Sequence, residues 1–311
     1  VFEAQDLLLD QETAEILLGE LQQDTSMFRY DDLRRCHFWP VFRQFLLWQQ
    51  EREYSAEEQN RLYGRAALYY ELHDDYKNAL DCYTRCGEYQ KVSELLVKNS
   101  GLHPGLAHYD EMEDYYRALP REQVLSSPAL MAGMSMLSSI CMDYDASEAW
   151  YLELERCAGH LKRSDADYKS VRGWLAWLDI GLPQRNVNDI LTKLNNVVNL
   201  LTSKEIVMPE FSVTSRLPSI MNGGKDFCEW SRNDDALYRK YRVPVSFLLK
   251  RDGVALPECA VAESKFEKGE EISGRMLDLL GRLEKIQKKG TPDIEFALIG
   301  LLVRLRIDQG E

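Results

Sequence analysis

At 311 residues, with 45% hydrophobic and 29% charged residues, the chain is long enough for one extended array or two compact domains and too apolar for a disordered segment. Its formal net charge of −13 argues against gripping a phosphate backbone with its own surface. Its 18 glycines and 10 prolines are few for this length, which argues against a turn-rich all-β fold.

Taken in chain order, Val1 to Glu20 carries acids throughout and lacks the basic start and apolar run of a secretory leader. A start without Met reads as a segment of something longer. Thr13 to Gln22 predicts a short amphipathic helix, with Ile16, Leu17 and Leu21 at helical spacing. Met27 to Phe38 predicts a hairpin with Asp31-Asp32 near its turn. Pro40 then favours a helix start, and Val41, Phe42, Phe45, Leu46 and Trp48 supply an apolar stripe. Together these residues, 1–53, read as the remnant of a winged-helix-like unit.

From Ser55 the pattern becomes helix, short turn, helix. Ser55 and Glu58 form a capping-box signature for a helix running to about His73, and its partner starts near Asp75 and ends by Gly87. Ala67, Tyr70, Ala79 and Tyr83 fall where a tetratricopeptide hairpin wants small and aromatic residues, because antiparallel helices close tightly only over small side chains. Gln123 to Met142 is uncharged, but its five serines and Pro128 make it too polar for a membrane span. It predicts a buried helix, with 128–143 pairing with 146–161 and 168–182 pairing with 187–202. Across 54–203 small residues do not recur at fixed offsets, so the repeats read as degenerate. Residues 204–254, with Pro209, Pro218, Gly223-Gly224 and Pro244, predict short helices and loops. In 255–311 a second hairpin is expected, marked by Ala262, Gly269, Gly274 and Gly281 and filled by Phe266, Met276, Leu277 and Leu280. A last helix, Ile294 to Asp308, lacks a following partner. The fold class expected is therefore all-α, a superhelix of TPR-like antiparallel hairpins.

One stretch carries a family likeness. Cys36-His37-Phe38-Trp39-Pro40-Val41-Phe42-Arg43-Gln44-Phe45-Leu46 resembles the signature that closes the winged helix of large ATP-dependent LuxR-type regulators, the MalT-like group of the STAND class. His37, Phe42, Phe45 and Leu46 match the pattern, whereas Phe38-Trp39 intrudes before Pro40. Leu62 to Leu96, then Ala118-Leu119-Pro120 and Pro128-Ala129-Leu130, follow in the family's order. The resemblance implies a bacterial, cytoplasmic parent that binds ATP through an upstream module and DNA through a C-terminal helix-turn-helix. In it, the superhelix receives an inducer and supports self-association. Neither outer module is present in these residues: Gly223-Gly224-Lys225 is followed by Asp226, and Ser219 stands where a phosphate loop needs its first glycine.

Seven scattered cysteines (Cys36, Cys82, Cys86, Cys141, Cys157, Cys228 and Cys259) read as reduced thiols, mostly packed as small hydrophobes. Cys82 and Cys86 are spaced i, i+4 but find no second pair for a zinc site. Asp74-Asp75 and Asp234-Asp235 have the look of magnesium-diphosphate pairs. A further carboxylate on the same face is missing after Asp75, where helix capping suffices as an explanation. His73, His103, His108 and His160 fall at predicted helix ends or loops, and no serine occupies a nucleophile elbow. No catalytic residue, metal or cofactor is therefore assigned to this chain.

Aromatic residues beside amides and charges are the better ligand candidates. Tyr168, Trp174 and Trp177 share a predicted helix, and Trp230 lies near Asn222, Lys225, Asp226 and Arg232. Such faces suit a sugar, a nucleoside-like molecule or a peptide. Helical spacing alone also accounts for the tryptophans as core. The expected role is signal sensing inside a regulator, with no nucleic-acid or membrane contact from this chain. The alternative is a freestanding TPR-like scaffold that binds a partner peptide.

Overall fold

The computed structural model describes residues 16, 19–20, 28–30, 36–102, 107–209, 228–251 and 253–310. They are helical apart from one short hairpin, and they divide into two compact units, Val1–Leu95 and Leu96–Glu311.

In the first unit β1 (Phe28–Tyr30) pairs antiparallel with β2 (Cys36–Phe38), placing Phe28 opposite Phe38 and Arg29 opposite His37. The acidic pair Asp31-Asp32 lies outside the described residues, as does most of the segment expected to be helical at 13–22. Helix α1 (Pro40–Glu53) starts with its proline in the first turn, where the missing N–H has no intrahelical role. Its apolar stripe does not form a core. None of its residues is buried, and Phe38 of β2 with Phe42, Phe45 and Trp48 of the helix form a row of ring contacts at centroid spacings of 5.7, 6.3 and 6.1 Å.

Helix α2 (Ala56–Leu72) opens with the expected capping box. The Ser55 N–H donates to the Glu58 carboxylate at 2.8 Å, and the Glu58 N–H donates back to Ser55 Oγ at 3.3 Å. Helix α3 (Tyr76–Arg85) returns antiparallel, with Ala67 and Ala79 both fully buried and the Tyr83 hydroxyl donating to Glu71 at 2.7 Å. Helix α4 (Tyr89–Leu102) follows after Gly87, whose φ of 74° is the left-handed turn that glycine adopts without steric cost.

The second unit contains α5 (Ala107–Glu111), α6 (Glu113–Ala118), α7 (Arg121–Leu125), α8 (Pro128–Ile140), α9 (Tyr144–His160), α10 (Tyr168–Gly181) and α11 (Val187–Thr202). The uncharged run, 123–142, takes in the end of α7 and all of α8, and α8 is a central helix packed against its neighbours α9 and α10 as well as the short helices before it.

The turn between α8 and α9 repeats the one between α2 and α3. Asp74 and Met142 both sit at left-handed φ, 56° and 62°. The next residue is Asp in each case, and its N–H reaches back to Tyr70 O (3.0 Å) or Ser138 O (2.8 Å). Each Asp then caps the following helix, Asp75 at the Asn78 N–H (3.3 Å) and Asp143 at the Ala146 N–H (3.1 Å). A tyrosine follows, and a fully buried small residue stands four positions after the Asp: Ala79 in one hairpin, Ser147 in the other. The two Asp residues are 68 positions apart. A small buried residue thus stands at the same place after both turns, and in the second it is a serine. Asp143→Ala is expected to cost about 1 kcal/mol and lower the Tm by roughly 2–4 °C, with Asp143→Asn close to wild type, as read by calorimetry.

The rest of the unit is α12 (Cys228–Arg232), α13 (Asp234–Leu248), α14 (Leu256–Glu267), α15 (Ser273–Leu280), α16 (Leu283–Lys289) and α17 (Pro292–Asp308). Part of the stretch expected to be irregular is a regular helix, α13, which continues through Pro244. Burial of Tyr241 and Leu248 on one face supplies what the lost backbone bond removes. Two cores meet along this helix. One gathers Ala176, Ile180, Leu191, Leu194, Val197 and Ile206, the other Leu256, Ile272, Met276, Leu298 and Leu301, and Val245 and Leu249 pack against both. The α14–α15 hairpin turns at Gly269 (φ 72°) as anticipated, but Leu277 is 70% exposed. Helix α15 has only two turns, and Ile272, Met276 and Leu279 occupy its inward face instead.

Candidate functional site

Helix α10 carries three of the ligand candidates. Trp177 is 3% exposed, meets Trp174 edge-on at 5.4 Å and lies 5.9 Å from the ring of Tyr109 on α5, so its indole belongs to the packing of the unit. Trp174 is half-buried at the rim of this cluster. At the helix start, the Arg172 guanidinium donates to the Tyr168 hydroxyl at 2.6 Å, and this hydrogen bond holds the phenol below its usual pKa. That pair offers a polar-aromatic surface facing solvent. Trp230 packs, partly buried, on the core that also contains Ala176 and Ile180 of α10, while Arg232 is exposed. The structure therefore brings Trp230 and the middle of α10 into one cluster and leaves Arg232 at the surface. Asn222, Lys225 and Asp226 lie outside the described residues.

The two acidic pairs receive structural roles. Asp74 forms the left-handed turn and Asp75 the cap described above. Asp234 and Asp235 begin α13 and are neutralised by protein cations. Lys268 Nζ lies 2.7 Å from Asp234, Lys265 Nζ 2.9 Å from Asp235, and Arg275 reaches Asp235 at 2.6 Å. Ser264 Oγ adds a 3.0 Å bond to Asp234, and Glu270 bridges both lysines at 2.7 and 3.0 Å. Burial opposes the charge on Asp234, yet the bonds from Lys268 and Ser264 and the Asp235 backbone N–H outweigh it and hold the carboxyl below its ordinary value. For Asp235 the leading cause of the same downward shift is Lys265. These lysines stand where a metal reading would require a cation. They come from another helix some thirty residues away, which no local spacing rule could reveal.

A second polar seam also escaped the sequence pattern. On α8, Ser135 Oγ donates to the Ser147 carbonyl at 2.9 Å and Ser139 Oγ bonds to Gln184. Gln184 in turn reaches Ser147 Oγ (3.0 Å) and Glu148 (3.1 Å), and Arg185 pairs with Glu148 at 2.5 Å. Tyr151 donates to Asp179 at 2.9 Å, where Lys193 also binds at 2.5 Å. Burial, then the charge of Asp179, pushes the Tyr151 phenol above its ordinary value. The serines of the uncharged run thus join α8, α9 and the α10–α11 turn through satisfied hydrogen bonds.

Two buried cysteines are quiet. Burial raises the Cys82 thiol to about 11 and Cys259 to about 12, which keeps both protonated and weakly nucleophilic near neutrality. Among the described residues, no group of three or more His, Cys, Asp or Glu side chains could hold a metal ion, and no helix is long and apolar enough to cross a membrane. An open groove of about 460 Å³ lies along the start of α17, lined by Pro292, Asp293, Glu295, Phe296 and Ile299. It is remote in sequence from every residue singled out as a ligand candidate. Compared with protein-family models, curated proteins and solved structures, the chain finds no match.

Proposed function

We propose that this chain is a non-catalytic, ligand-sensing segment built as a TPR-like superhelix, and that it serves a LuxR-type, MalT-like regulator as its signal-receiving region. The observation that carries the reading is the repeated hairpin turn: left-handed residue, Asp cap, Tyr, then a buried small residue, recurring after 68 positions. A β-hairpin followed by a helix that starts at Pro40 is in keeping with a winged-helix remnant ahead of it.

Tyr168 with Arg172, the rim of Trp174 and exposed Arg232 give the reading its ligand surface. Trp177 and Trp230 act behind that surface, fixing α10 and α12 through the core. The inducer works by population shift, favouring one of two conformations of a larger protein, and it does so only if its affinity for the two differs.

A thermal-shift screen of the chain against sugars, nucleotides, amino acids and short peptides tests this. Ligand at about a hundred times its Kd adds about 2.7 kcal/mol, a visible rise in Tm. A small-molecule hit lost in Tyr168→Ala and Arg232→Ala supports the sensor. Response to peptides alone would replace it with the scaffold reading, and turnover of any hit would overturn the non-catalytic assignment.

A further inference from the structure

Helix α13 has two unlike faces. Leu237, Tyr241, Val245 and Leu248 pack into the cores beside it. The opposite face carries Arg239, Val243 and Phe247 at i, i+4 and i+8, with Lys240, Arg242 and Lys250 around them, all exposed. Val243 is 68% and Phe247 56% open to solvent. This face is not an end of the fold, since α11 and α14, which flank α13 in the chain, already pack against its other sides. Residues 236–251 hold five Lys or Arg and no Asp or Glu, within a chain of net charge −13. We propose that this face docks an acidic amphipathic helix of a partner protein, with two apolar side chains one turn apart on Val243 and Phe247 and carboxylates on the cations around them.

Charge complementarity selects this occupant. Among the described residues, none of Arg239, Lys240, Arg242 and Lys250 forms an ion pair, whereas Lys265, Lys268 and Arg275 close by are each held by a carboxylate. Lys240 lies 4.9 Å over the Tyr241 ring and Arg242 5.7 Å over that of Tyr238, contacts that order the side chains along the helix without cancelling their charge. A phosphate backbone would meet the cations but leave Val243 and Phe247 against a charged strand. An anionic bilayer would cover both, yet it extends far beyond one helix, and the rest of this acidic chain repels it there. A short acidic helix stays over the patch, with the remaining acids mostly beyond the screening distance of about 8 Å. Two apolar anchors make an interface well below the roughly 800 Å² per partner of a stable complex, so the contact is transient. The face shares no residue with the ligand surface around Tyr168 and Arg232, so either assignment can fail without the other.

Fluorescence anisotropy of the whole chain with a labelled, alanine-rich helical peptide of about 16 residues, carrying two leucines four apart and glutamates on either side of them, tests it. A Kd below about 100 µM is expected at about 50 mM salt, rising severalfold at about 500 mM as the charges are screened. Phe247→Asp, and Arg239→Glu together with Lys240→Glu, should each weaken binding at least about tenfold while circular dichroism remains that of the parent, since all three side chains face solvent. The charge-reversed chain should instead prefer the same peptide with lysines in place of its glutamates, a switch that loss of folding cannot produce. No binding up to about 1 mM, or binding indifferent to these substitutions, overturns the proposal. So does tighter binding to phosphatidylserine vesicles or to duplex RNA that the same charge reversal abolishes, which would make the face a membrane or nucleic-acid surface instead.

Discussion

Gly173→Ala is expected to cost about 2.5–4 kcal/mol, the largest effect expected of an added methyl at any of the described glycines. A Cβ at Gly173 would collide with the Val207 carbonyl oxygen and lie 2.6 Å from its carbon and 3.2 Å from the Met208 nitrogen. These are backbone atoms, so no side-chain rotation relieves the clash. The segment after α11 crosses α10 at this point, held by the Val207 N–H donating to Lys169 O at 3.1 Å. To make room it must lift, losing that bond (about 1 kcal/mol) and uncovering buried Ile206, worth about 1.5–3 kcal/mol. For a unit of this size the Tm should fall by roughly 5–16 °C. Gly64→Ala is the control: nothing lies within 4 Å of its added methyl, and in mid-helix it should stabilise by about 0.5–1 kcal/mol. Urea unfolding of both variants decides the matter, and a loss below about 1 kcal/mol at Gly173 would show that the crossing is not tight. Since Trp174 is the next residue, the same variant should also lose any ligand response that depends on α10.

The helices were legible where local chemistry and periodicity agree. Ser55 with Glu58 announces α2 because a capping box is complete within four residues, and Pro40 announces α1 for a similarly local reason. Periodicity says less about which face is covered. The apolar stripe on α1 stands open, and Leu277 lies one position from the inward face of a helix too short to show its phase. At Pro244 a local rule was overruled by tertiary burial on either side of it. The candidate site was legible only in part. Aromatic spacing located α10 but could not separate Trp177, deep in the packing, from Trp174 at its rim. Charge pairs such as Asp234 with Lys268 join residues about thirty positions apart, and composition records both partners without recording that they meet.

Arg304→Leu is the second large effect expected, about 3 kcal/mol. Helix α14 buries Glu263, whose side chain is only 3% exposed, and α17 delivers Arg304 to it: one guanidinium nitrogen lies 2.7 Å from Glu263, another 2.6 Å from Glu267, with the cation 5.5 Å from the Phe266 ring. Removing the arginine takes the Arg304 charge away from a buried carboxylate, and breaking such a pair from one side costs about 3–5 kcal/mol. Partial exposure of Arg304 places the loss at the low end of that range. Arg304→Lys keeps the charge but not the fork that spans Glu263 and Glu267, so it should lie between wild type and leucine. The double variant Glu263→Leu/Arg304→Leu separates the worth of the pair from the penalty of orphaning one member. It should recover most of the single-variant loss, because the site then becomes an apolar contact between α14 and α17 beside Phe266. Urea unfolding of the four proteins closes the cycle. Losses that simply add would mean that the two side chains are not coupled, and that apolar contacts alone, such as Ile294 and Leu298 against Leu256 and Cys259, hold the last helix in place.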